Sequence, residues 1–244
     1  MLKKVKYVLL ILLLAFSGLY AGEYEQKVQR SFQLPADGAI ELSNVNGEIE
    51  ITTTGGTAVE IKAIKSSDNK GEIENVDVLF EQDGGILRVK TKYNKRNTRA
   101  KVDFTVAIPE KLARAEFKSV NGRVECSGKY ADLKLKTVNG KIDFDGKFRD
   151  GVFKTVNGAI DISQEELLDG DLEAETVNGA IDIELNRKSA FDAEARTVNG
   201  SIRTEFGLEV QRHLVGSSLS GKANGGGRKV KVETVNGSIE ISKI

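Results

Sequence analysis

The amino-acid sequence predicts an all-β fold: a parallel β-solenoid of stacked coils of 18–21 residues, with an N-terminal antiparallel β region. Three observations carry this. The chain holds 25 Gly and only 2 Pro among many Val, Ile and Thr, the composition of strands joined by tight turns. Val-Asn-Gly occurs seven times, at 45–47, 120–122, 138–140, 156–158, 177–179, 198–200 and 235–237. Apolar and polar residues alternate on both sides of each copy, the mark of a strand with one buried face.

The first segment, residues 1–21, reads as a secretory signal peptide. Lys3, Lys4 and Lys6 precede an apolar run over 7–16, followed by Ser17, Gly18 and Ala21. The run is shorter than the ~20 residues that span a bilayer, so cleavage is expected to leave no stable membrane span. The protein is expected to be exported to the periplasm, the cell surface or the medium. Cys126 is the only cysteine, so no internal disulfide can form.

Residues 22–112 are expected to form a β-strand region holding the first copy of the motif. Strands are predicted over 58–64, 76–80, 86–91 and 101–108, with Asp83, Gly84 and Gly85 joining the middle pair as a hairpin. This part is expected to cover one end or face of the stack.

Residues 113–244 carry the other six copies. Successive copies are separated by 75, 18, 18, 21, 21 and 37 residues. The second residue after each Gly is Ile49, Val124, Ile142, Ile160, Ile181, Ile202 or Ile239. Before the motif the inward positions have the opposite parity, as in Leu133 and Leu135 against Ile142 and Phe144. The phase slips across Val-Asn-Gly, so the motif is a corner. The predicted corner residues are Asn46, Gly47, Asn121, Gly122, Asn139, Gly140, Asn157, Gly158, Asn178, Gly179, Asn199, Gly200, Asn236 and Gly237. Asn and Gly both tolerate the positive φ that such a corner is expected to need. Antiparallel hairpins turning at Asn-Gly are the rival architecture. Repetition of Val and Thr as well as Asn favours stacking, because like residues then form ladders.

The residues offer little catalytic chemistry. Lys+Arg and Asp+Glu both number 36, which removes the basic surface a nucleic-acid binder needs. His213 is the only histidine and sits in a Gly/Ser-rich stretch, while Cys126 falls in the inward column as an inert thiol. Residues 216–222 resemble a phosphate loop as far as Lys222. Ala223 then replaces the hydroxyl residue, and residues 224–227 replace the helix, so a glycine-rich loop is expected. An acidic column from Glu125 to Asp182 invites calcium but lacks the nonapeptide of calcium-loaded solenoids. It reads as a solvated face offset by Lys118, Lys136 and Lys154. No catalytic, cofactor or metal site is expected.

Over 40–244 the sequence resembles a bacterial family of proposed adhesins with repeated Thr-Val/Ala-Asn-Gly-x-Ile units. The resemblance rests on Asn46-Gly47-Glu48-Ile49, on Ala107-Ile108-Pro109, and on the glycines 225–227 before Thr234-Val235-Asn236-Gly237-Ser238-Ile239. It implies a β-solenoid and an exported location. The expected function is a non-enzymatic envelope scaffold or adhesin-like protein binding an unidentified protein or glycan of the cell envelope. A polysaccharide-active enzyme is one alternative. Self-assembly through an uncapped last coil at 239–244 is another.

Overall fold

The computed structural model describes residues 24–244; the signal-peptide expectation for 1–21 lies outside the described residues. In chain order the first strands are β1 (Tyr24–Gln33), β2 (Ala39–Ser43), β3 (Ile49–Thr54) and β4 (Ala58–Ser67), followed by a single helical turn, α1 (Lys70–Ile73). Next come β5 (Val76–Asp83), β6 (Ile86–Tyr93), β7 (Lys101–Pro109), β8 (Arg114–Lys118), β9 (Val124–Lys136), β10 (Ile142–Lys154), β11 (Ile160–Gln164), β12 (Leu172–Glu175) and β13 (Ile181–Leu185). The chain ends with β14 (Phe191–Asn199), β15 (Ile202–Thr204), β16 (Val210–Arg212), β17 (Ser217–Ala223), β18 (Arg228–Asn236) and β19 (Ile239–Lys243).

The alternation around each motif builds two parallel sheets that share one core. Strands preceding the motif stack in the order β2, β8, β9, β10, β12, β18, β14, with β6 added parallel beside β2. Strands following it stack as β3, β9, β10, β11, β13, β19, β15, with β7 added parallel beside β3. Each repeat is therefore a coil of a solenoid, and the hairpin alternative is excluded by the parallel pairing. Antiparallel strands extend both sheets at the N-terminal end, β5 beside β6 and β1–β4 beside β7. The hairpin expected around Asp83–Gly85 is the β5–β6 pair.

The core is a single cluster filled from both sheets by residues such as Leu42, Leu133, Leu135, Ile142, Ile160, Ile181 and Ile239. β9 and β10 run continuously from one sheet into the other, and Tyr130, Phe144, Phe148 and Phe153 fill the bend with ring centroids 5.3–6.1 Å apart. Gly128, at φ 113, turns the chain there against Thr53, whose hydroxyl accepts from the Lys129 N–H at 2.9 Å.

The corners stack by three repeated contacts. The buried Thr before the motif donates its hydroxyl to the corner Gly carbonyl of a neighbouring level, as in Thr137 to Gly122 (3.1 Å) and Thr176 to Gly158 (3.0 Å). The Asn side chains form an amide ladder in the order 46, 121, 139, 157, 178, 236, 199, with each Nδ2 donating to the previous Oδ1 at 2.7–2.8 Å. Gly lets adjacent levels approach, because a Cβ on Gly158 would lie 1.9 Å from the Gly140 carbonyl oxygen.

Two sequence-based expectations are corrected. Among the corner glycines only Gly47 has a positive φ (115), so close approach, not backbone handedness, requires Gly at the other six. The last coil is not an open end either. β18 lies between β12 and β14, and β19 between β13 and β15, so residues 239–244 are interior to the stack. The C-terminal end of the solenoid is β14 and β15, with β17 added antiparallel to β14 and β16 antiparallel to β17.

Candidate functional site

Parallel in-register stacking turns each outward repeat position into a column. The position between the two inward residues that follow the motif reads Glu50, Glu125, Asp143, Asp161, Asp182, Glu240 and Arg203 along the stack. Six carboxylates thus stand at successive levels ~4.8 Å apart, close enough to repel without counter-charge. Arg123 supplies part of it, with Nε 2.6 Å from Asp143 and Nη2 3.3 Å from Glu125. Lys141 pairs with Asp143 at 2.5 Å and also with Asp161. Lys118, Lys136 and Lys154 were expected to offset this column; they stand on the other sheet, in a column shared with Ser43, Glu175 and Glu233. The cations that do so sit one residue after the motif Gly, a position the repeat alignment exposes once the corner is recognised.

An open groove of about 480 Å³ runs along this face, walled by Arg123, Glu125, Asp143, Asp161, Asp182 and Glu184 with Phe144 and Ile162 at its floor. Its charge is uneven. The levels of Glu125 to Asp161 are ion-paired, whereas Asp182, Glu184 and Glu240 form no ion pair among the described residues. Partial burial, with Asp161 and Glu240 nearby, raises the Asp182 carboxyl above its ordinary range. A raised carboxylate opposes folding wherever it is charged and stops doing so once protonated. Asp182→Asn is therefore expected to raise the urea midpoint at neutral pH, only modestly because solvent screens the repulsion, and to lose that advantage in acid. An unchanged or lowered midpoint at neutral pH would show that the carboxylate is not under repulsion.

The face before the motif is balanced instead. Lys154 bridges Glu173 (3.2 Å) and Glu175 (2.9 Å), and Lys231 bridges Glu175 (3.1 Å) and Glu233 (3.0 Å). Burial pushes the Glu175 carboxyl up, but hydrogen bonds from Lys154 and Lys231 outweigh this and hold it at about 2. Between the two faces runs the corner edge. There Val120, Val138, Val156, Val177, Val235 and Val198 are each 39–40% exposed, beside the Asn ladder. The phase slip across the motif could have revealed this apolar ridge, since a residue at a corner between two inward phases points out.

The remaining candidates lie elsewhere. The fourteen corner residues form the ladder and its close approaches and line no part of the groove. Cys126 is buried under the groove, and burial pushes its thiol up to about 12. His213 is exposed with Nε2 2.9 Å from Ser218 Oγ. Residues 217–223, expected as a glycine-rich loop, form β17, because their alternating Ser217, Leu219 and Ala223 pack inward on β14. Among the described residues no group of three or more His, Cys, Asp or Glu could hold a metal ion, and no helix is long and apolar enough to cross a membrane.

Comparison with known proteins places this geometry in context. The family model described as Toastrack DUF4097 matches residues 24–242. A crystal structure provisionally named as a cell adhesion protein from Clostridium sporogenes is similar with a TM-score of 0.53 at 13% identity, covering 90% of this chain and 100% of that one. A provisionally named adhesin from Bacteroides fragilis is similar at 16% identity, covering 90% of this chain and 97% of that one, with a TM-score of 0.41. The first of these shows a shared fold. No curated protein matches the sequence.

Proposed function

The chain belongs to the Toastrack DUF4097 family, and from that premise we propose that it is an exported, non-enzymatic envelope protein that binds a protein or glycan partner on its outer columns. The observation that carries this reading is the groove face. The unpaired carboxylates Asp182 and Glu184 in the groove, and Glu240 at the next level of the same face, are held at fixed spacing by a hydrogen-bonded stack. A rigid array binds by many weak contacts without the ordering cost a flexible surface incurs. The signal-like pattern over 1–21 and the adhesion names given to proteins of similar fold support the location and the binding role.

The test compares the chain without residues 1–21 with the same chain carrying Asp182→Asn, Glu184→Gln and Glu240→Gln. Both are applied to envelope extracts and to a glycan array. Capture of a partner by the first and at least about tenfold weaker capture by the second is the expected result, a loss of about 1.4 kcal/mol. Equal capture by both would move the binding role away from this groove.

One observation favours a second reading, a polysaccharide-active enzyme. Asp182, with its raised carboxyl, stands one level from Asp161, which is ion-paired to Lys141. Two carboxylates in different environments are what acid and base roles require. Release of reducing ends from a polysaccharide, abolished by Asp182→Asn, would favour this reading over binding alone.

A further inference from the structure

We propose that Asn199 is the one corner asparagine that deamidates in the folded protein, and that the polarity of the stack makes it so. The chain contains eight Asn-Gly dipeptides, seven at the corners and one at Asn224–Gly225. In such a pair the Gly backbone nitrogen attacks the Asn side-chain carbonyl carbon. A C–N bond forms, the amide nitrogen leaves as ammonia, and a five-membered succinimide remains. Water then opens that ring at either carbonyl, giving aspartate or isoaspartate. The net change is amide plus water to acid plus ammonia, with no further reactant.

Six corners obstruct this reaction in the same way. The Gly N–H that must be released donates to the Asn carbonyl of the next level: Gly47 to Asn121, Gly122 to Asn139, Gly140 to Asn157, Gly158 to Asn178, Gly179 to Asn236 and Gly237 to Asn199, at 2.9–3.1 Å. In five of these six the Asn side chain is also held from both sides, its Nδ2 donating to one neighbour and its Oδ1 accepting from the other. Asn46, at the other end, has its Oδ1 occupied by Asn121.

All these N–H groups point the same way along the stack, so only the last level lacks an acceptor. That level is Asn199–Gly200. Among the described residues the Gly200 N–H finds no hydrogen-bond acceptor, and Gly200 is exposed while the other six corner glycines are half-buried. Among the described residues the Asn199 Oδ1 accepts no bond, leaving one contact on the side chain, Nδ2 to Asn236 at 2.7 Å. Asn224 is a separate case, because its Nδ2 donates to both the Arg187 and Ser189 carbonyls at 2.9 Å and the leaving nitrogen is held twice. Deamidation at 199 replaces the Nδ2 donor by a carboxylate facing the Asn236 Oδ1, which removes the last bond of the ladder.

The experiment ages the folded protein in mildly alkaline buffer and, in parallel, the same chain in denaturant. Peptide mass spectrometry then follows each Asn-Gly site. In denaturant the seven corner sites should react at similar rates. In the folded protein Asn199 should keep a rate within a few-fold of its denatured value. The other six should slow at least about tenfold, because each waits for local opening. Folded-state rates for Asn199 no faster than those of Asn157 and Asn178 would overturn the proposal, as would fast reaction at any interior corner.

Discussion

Gly158→Ala is expected to destabilise the protein by about 3 kcal/mol or more and to lower its urea midpoint accordingly. The added methyl would lie 1.9 Å from the Gly140 carbonyl oxygen and 2.6 Å from its carbon. The Gly140 level is held on one side by Gly140 N–H to the Asn157 carbonyl and the Thr155 hydroxyl to Gly140 O, and on the other by Gly122 N–H to the Asn139 carbonyl, so it cannot give. Gly55→Ala meets nothing within 4 Å and should leave the midpoint nearly unchanged. Gly200→Ala is the discriminating variant. Its methyl would meet the Gly237 oxygen at the same 1.9 Å, but no level lies beyond it, so the rung can shift outward at lower cost. Because φ at 158 is not positive, Gly158→Asn should be no better tolerated than Ala. Rescue by Asn, or equal loss at 55 and 158, would refute the close-approach explanation.

That distinction also shows what the sequence made legible. Alternation in Leu133, Leu135 and then Ile142, Phe144 reports one buried face and a corner, because burial depends on each residue's own position along the strand. The reason for Gly at the corner lies in the next level, which local pattern does not contain. Stacking order is hidden for the same reason. The copies at 177–179, 198–200 and 235–237 offer the same Asn amide and the same Thr hydroxyl, so any could sit beside any other. Cross-strand charge does not separate them either. With β18 between β12 and β14, Lys231 stands between Glu173 and Glu194, but Glu175 faces Glu233 and Asp182 faces Glu240; direct contact would set Glu173 against Glu194 yet Glu175 against Arg196 and Asp182 against Arg203. The 37-residue interval between the last two copies is the sequence trace of this insertion, since the chain must return past β16 and β17 before β18 enters. In the groove, the carboxylate column was readable from the repeat, whereas its pairing with Arg123 and Lys141 depends on side chains reaching across levels.

Deleting residues 228–244 is expected to release the whole segment 191–223 from the fold rather than merely shorten the stack. β18 and β19 carry Val230, Val232, Ile239 and Ile241, all fully buried, and at about 1.5–3 kcal/mol each their loss removes about 6–12 kcal/mol of burial. Their removal also takes away the strands that connect β14 to β12 and β15 to β13. β14 would then keep only β17, with β16 beyond it, and three short strands cut off from the core they packed on are marginal in water. Levels formed by β2, β3, β8, β9 and β10 do not touch the deleted strands and should keep their amide protection, as nearest-neighbour stacking predicts. Hydrogen exchange with limited proteolysis checks both halves of the statement. Adding a peptide of residues 228–244 should restore protection to 191–223 by re-entering as the missing strands. In a solenoid stacked in chain order, the same deletion would leave 191–223 protected. Persistence of that protection would mean that β14 packs directly on β12, with Glu173 facing Glu194.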